Sequence, residues 1–413
     1  MGNDFPFGTR NSKLVLHNDI SKASMKLRPS PAVSALVVVS AAFFTDTILY
    51  YVLVPLLPHY QRTFDLSQTD LGILFGSYAA SLLVGTIPIG KLGDIVGRRK
   101  MMLWGLVGLW GTTLLFAFAN TFSLLIIARV LQGLSATATW TSGMALVADH
   151  WPAEHRGKAM STCFAFANLG VLLGPPFSGY VAENWGIRMP FFIAAGLALV
   201  DAFLRAWLLQ DKPKENVELI PIRRLLKNRD ICLFIGVMAM GSGLWAILES
   251  LLPTDFDSRG WTQSAIGLAF AFAALAHTLT SPLAGAMADR FSRKKMIVVG
   301  LFLTMFLMPV PVFVYGKAST FAAMVCLGLV ATLISSPVSP GVTSAVDKMG
   351  VGGGGYSSVF GMLNLSYAVG MMLGPFLGGI GVDIIGLKPS LLIMGLGFGA
   401  YSLVIARYLR GQS

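Results

Sequence analysis

Two acidic residues stand inside long apolar runs of this 413-residue chain. Asp46 lies in AAFFTDTILYYVLVPLLPHY, and Glu249 lies in GLWAILESLLP. A carboxylate at bilayer depth costs on the order of 2.5–3.5 kcal/mol on insertion scales, so it usually faces a cavity or a partner. In such a place a carboxyl group can hold a proton and a cationic ligand in turn. The alternative is a structural role, in which each acid is hydrogen-bonded to a neighbouring helix.

Four further ionisable groups lie in apolar runs. Arg129 keeps its charge at biological pH, so it either biases a nearby acid or belongs to a fixed structural ion pair. Asp201 and Arg205 have the i, i+4 spacing of an intrahelical ion pair, and we expect them to neutralise each other. His277 is a candidate proton relay, but a lone histidine in an apolar helix is more often simply hydrogen-bonded, so we leave it out of the site.

Membrane-spanning helices must position these groups. The sequence is 54% hydrophobic and 12% charged, with a mean hydropathy of +0.69, which is too apolar for a water-soluble globular protein. Apolar runs of about 20 residues, the length that crosses a hydrocarbon core, recur along nearly the whole chain. We predict an all-α membrane protein with twelve transmembrane helices, at residues 33–57, 70–90, 101–119, 122–147, 162–182, 189–209, 231–252, 264–286, 296–315, 320–341, 357–381 and 388–407.

The basic residues predict the orientation of these spans. Of the 31 Lys and Arg residues, 24 lie in the N-terminal tail, the even-numbered loops and the C-terminal end, and five lie in the odd-numbered loops. Because loops that face the cytoplasm carry an excess of Lys and Arg, we predict that both termini are cytoplasmic. The same short clusters account for the net charge of +11 without nucleic-acid binding. The polar first 30 residues predict no cleavable secretory signal.

The chain repeats itself with an offset of 195 residues. The stretch GKLGDIVGRRK, residues 90–100, returns as GAMADRFSRKK, residues 285–295. A slightly longer offset aligns GVLLGPPFSG, residues 170–179, with GMMLGPFLGG, residues 370–379. A repeat of six spans predicts two six-helix bundles with a site at their interface.

We therefore divide the chain into five parts. They are an N-terminal tail (1–32), an N-terminal bundle (33–210), a cytoplasmic linker (211–230), a C-terminal bundle (231–407) and a C-terminal tail (408–413). The linker is polar and basic and contains two prolines. Its portion IPIRRLLKNRD is either a short amphipathic helix on the membrane surface or a solvated segment.

Three motifs carry a family resemblance. GKLGDIVGRRK resembles the signature loop between spans 2 and 3 of the major facilitator superfamily, and LLIIARVLQGLSA resembles its span-4 motif, with Arg129 at the arginine position. GVLLGPPFSG resembles the span-5 motif of the antiporter branch. Within that branch the chain is similar to drug–proton antiporters and vesicular amine transporters from Val33 to about Leu403. The resemblance implies the major facilitator fold and secondary transport.

The repeated charged loop then predicts a cytoplasmic latch, because a two-bundle transporter needs contacts that form in one conformation and break in the other. Gly90 permits close helix approach, Gly97 permits a tight turn, and Asp94 can bond to loop arginines or cap a helix of the other bundle. Basic residues that only anchor the loop at the headgroups are the alternative, although this does not explain the repeated acid. The predicted latch residues are Gly90, Asp94, Gly97, Arg98, Arg99, Asp289 and Arg293.

The resemblance also implies a central site. It places Asp46 and Glu249 at cavity-lining positions and links Arg129 to proton coupling. Where the amine transporters carry acids in spans 10 and 11, this chain has Ser335 and Asn364, and Tyr78 replaces a lysine. The implied cavity is therefore less charged and more aromatic, which suits an organic molecule held by apolar area and a few hydrogen bonds. The predicted proton and substrate site comprises Asp46, Tyr78, Arg129, Glu249, Ser335 and Asn364, with Tyr50, Trp140, Trp245 and Tyr367 as further candidate lining residues.

Gly-Pro pairs in spans 5 and 11 complete the motif set. In the antiporters that this chain resembles, the motif seals the interface between the bundles and is associated with export. Close helix packing without directional meaning is the alternative, and both roles can hold together. The predicted motif residues are Gly170, Gly174, Pro175, Gly179, Gly374 and Pro375.

These features predict a proton-coupled exporter of small organic compounds, similar to transporters of drugs or secondary metabolites. A proton-coupled importer, an organic-acid or amine carrier, and a non-transporting receptor are the alternatives. We find no HExxH, GxSxG or P-loop pattern and predict no enzyme activity. Cys163, Cys232 and Cys326 form no CxxC pair, so we expect no disulfide, metal or cofactor. We expect a monomer in the plasma membrane, with a vacuolar or vesicular membrane as the alternative, that interacts with substrate, protons and lipid and not with nucleic acid.

Overall fold

The structure, a computed structural model, describes residues 30–208, 221–290, 292–350 and 352–410. Twelve helices in these ranges are long and apolar enough to cross a membrane, which confirms the predicted number. Nine of the spans are single helices, and spans 1, 9 and 10 are interrupted near prolines. Proline removes a backbone donor and clashes with the preceding turn, so it interrupts a helix at such positions.

The helix bounds are as follows. Span 1 comprises Pro31–Tyr51, the 3-10 turn Val54–Leu56 and Leu57–Phe64; spans 2 to 6 are Gln68–Val96, Arg98–Phe118, Phe122–His150, Ala153–Trp185 and Met189–Leu208; span 7 is Arg229–Ser258 and span 8 is Gln263–Arg290; span 9 comprises Arg293–Leu307 and Val310–Phe313, and span 10 comprises Lys317–Ser335 and Val338–Lys348; spans 11 and 12 are Gly352–Ile385 and Leu387–Arg410.

Several helices run past the predicted apolar limits. Span 2 continues to Val96, and span 5 begins at Ala153. Hydropathy detects only the part of a helix that lies in hydrocarbon, whereas the polar ends continue into the headgroups. The proposed linker is shorter than predicted, because span 7 already begins at Arg229 and a short helix, Ile222–Leu225, precedes it. Most of the linker and the N-terminal tail lie outside the described residues.

The spans form two six-helix bundles with matching internal packing. In the first bundle span 1 packs on span 5, span 2 on span 4, and span 3 on span 6. In the second bundle span 7 packs on span 11, span 8 on span 10, and span 9 on span 12. The bundles meet where span 2 packs on span 11 and span 5 packs on span 8. The packing therefore follows the six-span repeat of the sequence.

Glycines make the two bundle contacts close. A Cβ atom at Gly72 of span 2 would collide with the backbone carbonyl oxygen of Pro375 in span 11, and a Cβ at Gly267 of span 8 would collide with that of Pro175 in span 5. Glycine permits this approach because it has no side chain. The two contacts are equivalent under the repeat, and we call them together the seam.

Carboxylates from one bundle bond to helix N-termini of the other beside the seam. We call the end of the molecule with the even-numbered loops the basic face and the other end the opposite face. At the opposite face, Asp383 accepts hydrogen bonds from the backbone N–H groups of Gln68 (3.1 Å) and Thr69 (2.8 Å). Glu183 accepts one from the N–H of Ser264 (3.1 Å). A carboxylate is favoured at a helix N-terminus, so these contacts hold the opposite face together.

Nearer the basic face the same helix surfaces are uncovered. Phe164 and Asn364 lie eleven residues, about three helical turns, before Pro175 and Pro375, so they point in the direction of the seam. Both are exposed, Phe164 by 42%. Ile87, about four turns beyond Gly72 in span 2, is 57% exposed. The bundles thus meet near the opposite face and leave a cleft, lined by these residues, that opens toward the basic face.

Candidate functional site

Asp46 is buried in the first bundle, with 2% of its surface exposed. The indole Nε1–H of Trp140, in span 4, donates a hydrogen bond to Asp46 Oδ2 over 2.6 Å. The Trp140 ring stacks on Phe43 with 3.8 Å between the ring centroids, which fixes the donor. Tyr78 of span 2 also approaches the carboxyl group. Asp46 Oδ1 is buried and accepts no hydrogen bond from the described residues.

Glu249 is the corresponding acid of the second bundle and is 1% exposed. The Tyr50 hydroxyl, from span 1 of the other bundle, donates a hydrogen bond to Glu249 Oε2 over 3.4 Å, which is longer than the roughly 2.5–3.0 Å usual for O–H···O bonds. Tyr51 also approaches this carboxyl group. Both predicted acids are therefore covered by aromatic side chains in this conformation, rather than lining an open cavity.

Arg129 lies among aromatic rings on the Glu249 side of the site. Its side chain is fully buried, and Nη1 donates a hydrogen bond to Gln132 Oε1 over 2.8 Å. The guanidinium carbon lies 4.9 Å from the centroid of the Tyr50 ring and 5.7 Å from that of Tyr78. Phe75 and Phe116 lie at 5.1 and 5.6 Å. Such distances allow cation–π attraction.

The Arg129 charge has no direct counterion in the part of the chain that the structure describes. Among the described residues no carboxylate forms a salt bridge with it, and its Nε and Nη2 atoms have no hydrogen-bond partner. The fixed ion pair considered for Arg129 is therefore not found. A fixed ion pair is found instead in span 6, where Arg205 Nη2 donates to Asp201 Oδ2 over 2.5 Å. The structure confirms the expected Asp201–Arg205 pairing.

Tyr50 and Tyr78 connect these groups into one cluster. Their ring centroids are 4.9 Å apart. Tyr78 approaches Asp46 and Tyr50 bonds to Glu249, so the two acids are linked by two phenols beside the Arg129 guanidinium. We call Asp46, Tyr50, Tyr78, Arg129 and Glu249 the acid–tyrosine cluster. Its members come from spans 1, 2, 4 and 7.

Ser335 and Asn364 are exposed, unlike the buried members of this cluster. Asn364 is exposed in the cleft, as described above, and Ser335 is exposed in span 10. The Ser335 hydroxyl is 3.0 Å from Nε2 of His277 in span 8, and Trp245 lies edge-on to the His277 ring. The predicted site is thus divided into a buried acid–tyrosine cluster and a group of polar side chains outside it.

The predicted latch residues contact their own bundles. Arg98 donates to Asp149 Oδ2 over 2.5 Å and lies 3.9 Å from Asp94. Arg99 donates to the carbonyl oxygen of Ala206 over 3.1 Å. Gly97 adopts a positive φ of 101°, which is the turn conformation that glycine favours.

The described latch residue of the second bundle, Arg293, also contacts its own bundle. Arg293 donates to the carbonyl oxygen of Pro340 over 2.9 Å. A Cβ at Gly90 would meet no atom within 4 Å, so no helix packs closely there in this conformation. The side chain of Asp289 lies outside the described residues. These contacts show how the charges are arranged when the two bundles are separated at the basic face. A latch that forms when the bundles meet there stays a prediction.

The Gly-Pro motif residues pack in two directions. Gly170 and Gly174 lie against span 1, where added Cβ atoms would come within 2.9 Å of Phe44 O and 2.7 Å of Tyr51 Cβ. Gly374 similarly lies against Gly243 of span 7. Pro175 and Pro375 form the seam, and Gly179 and Gly379 face the backbones of Gln263 and Gln68 across it.

Sequence reasoning missed several participants. Gln132 follows Arg129 by three residues, the spacing of neighbours on one helix surface, so it could have been found. Tyr50 was only a candidate lining residue, and its bond to Glu249 has no sequence signal. The same holds for Glu183 and Asp383, which lie at helix ends far in sequence from the residues they contact.

Comparison with known proteins identifies the class of protein that this architecture defines. The Major Facilitator Superfamily profile matches residues 39–256 and 231–412. The chain belongs to the Major Facilitator Superfamily, and it is a transporter embedded in a membrane by twelve helices.

The chain is also similar in sequence to individual transporters. The chain is 30% identical over 384 residues to a probable vesicular acetylcholine transporter-B of Danio rerio, covering 87% of this chain and 76% of the relative. It is 30% identical over 338 residues to the chromaffin granule amine transporter of Homo sapiens, covering 79% of this chain and 63% of the relative. It is 27% identical over 399 residues to an uncharacterized MFS-type transporter of Schizosaccharomyces pombe, covering 83% and 88%.

Among solved structures, the fold is similar to that of a bacterial homolog of the human lysosomal transporter Spinster. The inward-facing, occupied form of that protein gives a TM-score of 0.77 over 92% of this chain and 98% of the other, at 16% identity. The unoccupied form gives 0.76 at 15% identity. At this identity the similarity supports the fold alone.

Proposed function

We propose that this protein is a proton-coupled exporter of small organic compounds that works by alternating access. Asp46 and Glu249 take up and release protons, and substrate and proton exchange as the bundles rock. The observation that carries the proposal is the burial of one carboxyl group in each bundle, joined through tyrosines beside a guanidinium that no carboxylate of the described residues pairs with. Such groups are costly in a membrane and are characteristic of proton pathways.

The conformation supports alternating access. The seam and the carboxylate contacts close the opposite face, whereas the cleft opens toward the basic face. With the basic face in the cytoplasm, as the distribution of Lys and Arg predicts, this state admits substrate from the cytoplasm. Rocking about the seam then releases it on the other side, as in two-bundle transporters generally.

The cleft favours an organic substrate with aromatic or apolar character. Asn364 supplies hydrogen bonds there, and Tyr367 is 39% exposed on the same helix. An organic cation is a specific candidate, because the names of two relatives refer to acetylcholine and amines and the two acids can bind a cation in a conformation that uncovers them. An importer or an organic-acid carrier of the same fold is the alternative. The direction of substrate accumulation under an imposed pH gradient separates export from import.

The compound is found by untargeted comparison of culture medium and cell extracts with and without the transporter. An exported compound is enriched in the medium of cells that contain it. A receptor that binds without transport leaves both pools unchanged. The compound so identified then serves as the substrate in reconstituted vesicles.

The first prediction concerns Asp46. We expect Asp46→Asn to abolish accumulation driven by a pH gradient, because the amide cannot exchange a proton, while the protein still folds. Asp65→Asn is the matched control: this exposed residue has a φ of 51°, which asparagine tolerates, and it should transport normally. Gradient-driven accumulation that is unchanged in Asp46→Asn would refute the proposed coupling.

A further inference from the structure

Tyr50 makes contacts to both bundles at once. Its hydroxyl bonds to Glu249 across the bundle interface, while its ring faces the Arg129 guanidinium and the Tyr78 ring of its own bundle. The side chain is 4% exposed, so these contacts are made in the protein interior. Hydrogen bonds are electrostatically stronger there than in bulk water.

The two acids of the cluster are therefore held differently. Asp46 bonds to Trp140 and is approached by Tyr78, both in its own bundle. Glu249 is bonded or approached by Tyr50 and Tyr51, both in the other bundle. When the opposite face opens, spans 1 and 7 separate. Asp46 then keeps its donor, whereas Glu249 loses its donors.

We propose that Tyr50 is a positioning residue that couples the proton on Glu249 to closure of the opposite face. The inference rests on the proposed function and names the side chain through which one acid of the site senses the conformation. A phenol bonds more strongly to a carboxylate than to a neutral carboxyl group. Ionised Glu249 therefore favours the closed opposite face, and protonated Glu249 allows it to open. The proton comes from water on one side and returns to water on the other.

The groups that face Glu249 are consistent with this role. Tyr50 and Tyr51 approach it from span 1, Arg129 from span 4 and Tyr367 from span 11. Only Arg129 is charged, and its charge favours ionised Glu249. Arg129 and both span-1 tyrosines belong to the first bundle, so their favourable effect on the ionised acid depends on bundle contact.

The test measures closure directly and needs no substrate. Spin labels are placed at Thr63 and Ser258, which are exposed near the opposite face on different bundles, after replacement of Cys163, Cys232 and Cys326. Pulsed electron paramagnetic resonance then gives the ratio of closed to open protein in lipid nanodiscs as a function of pH.

We expect the closed fraction of the otherwise unmodified protein to fall as the pH is lowered. Tyr50→Phe, which removes only the hydroxyl, should lower the closed-to-open ratio at high pH by about threefold to tenfold, in keeping with the loss of one hydrogen bond, and should flatten its pH dependence. Glu249→Gln should abolish the pH dependence. The matched control is Tyr60→Phe, since Tyr60 is buried in the same span and packs on Phe64. It should behave like the parent protein.

The double variant Tyr50→Phe/Glu249→Gln distinguishes coupling from a general loss of packing. If Tyr50 acts through Glu249, adding Tyr50→Phe to Glu249→Gln changes the ratio by less than twofold. Equal effects of Tyr50→Phe in both backgrounds would overturn the proposal, as would a Tyr50→Phe profile identical to that of the parent. In either case, a closure that still depends on pH and on Glu249 would leave the proposed function intact. A parent protein without any pH dependence would overturn this inference and remove Glu249 from the proposed function.

Discussion

Two fully buried arginines in one bundle show how much the surroundings of a charge matter. Arg129 is enclosed by aromatic rings and bonded to Gln132, whereas Arg205 is paired with Asp201. A buried charge without a counterion destabilises the folded protein by its desolvation penalty, which is on the order of several kcal/mol. Proteins trade stability for activity at functional sites. A destabilising buried charge is therefore retained where it serves function. At the residue scale, we therefore interpret Arg129 as a functional group and Arg205 as a structural one.

This contrast predicts opposite effects of the same substitution. We expect Arg129→Gln to leave the melting temperature in detergent unchanged or raised, because it removes a buried charge that no carboxylate of the described residues pairs with directly, and to abolish most proton-driven transport. We expect Arg205→Gln to destabilise the protein by about 3–5 kcal/mol, because it leaves the Asp201 carboxylate buried without its partner. Thermal unfolding of both variants, measured side by side, checks the pair. A large loss of stability in Arg129→Gln would show that Arg129 is a structural residue.

Glycines determine how closely the helices meet at the element scale. Gly72 lies against the Pro375 backbone, whereas a Cβ at Gly111 of span 3 would meet no atom within 4 Å. Neither residue has a positive φ, so alanine is compatible with both helices and improves helix propensity by about 1 kcal/mol in water. Gly72 is buried and Gly111 is exposed, and an added methyl group would touch a neighbouring backbone only at Gly72.

Alanine substitution at these positions should therefore have different consequences. We expect Gly72→Ala to separate spans 2 and 11 and to lower the closed fraction of the opposite face, because the collision involves backbone atoms that cannot rotate away. Gly111→Ala should leave closure unchanged. The distance between labels at Thr63 and Ser258 reports both outcomes. An unchanged distance distribution in Gly72→Ala would contradict the seam as described.

Much of this element-level organisation is predictable from the sequence, because the bilayer imposes a length and a polarity on each span. The apolar runs predict all twelve helices, and the repeat of GKLGDIVGRRK predicts their arrangement in halves. The acids Asp46 and Glu249 stand out because charge is rare in such runs. In contrast, the hydrogen bond between Tyr50 and Glu249 depends on how two bundles dock, and tyrosines in apolar helices carry no signal for it. Helix ends are also poorly predicted, since polar termini such as residues 91–96 resemble loops.

At the scale of the whole molecule, the opposite face is closed by paired interactions that the repeat makes equivalent. Asp383 at the end of span 11 bonds to the start of span 2, and Glu183 at the end of span 5 bonds to the start of span 8. An ion pair between Arg62 and Asp257 adds a third contact between the bundles. The contacts of Asp383 and Glu183 are exposed and individually weak, since a carboxylate at a helix N-terminus contributes about 0.3–1 kcal/mol. Weak, repeated contacts suit a transporter, because the closed state must be stable enough to form and must still open in every cycle.

The paired contacts predict a graded response to charge removal. We expect Asp383→Asn and Glu183→Gln each to lower the closed-to-open ratio about twofold to fivefold. The double variant should lower it by the product of the two factors, because the sites share no partner and their free energies add. Asp65→Asn is the control, since Asp65 is exposed and takes no part in the contacts of Asp383 and Glu183 with the helix N-termini. Label distances between Thr63 and Ser258 give all four ratios. A double variant that closes as well as the parent would mean that glycine packing alone holds the opposite face, and the two acids would then have no part in setting the balance between the conformations.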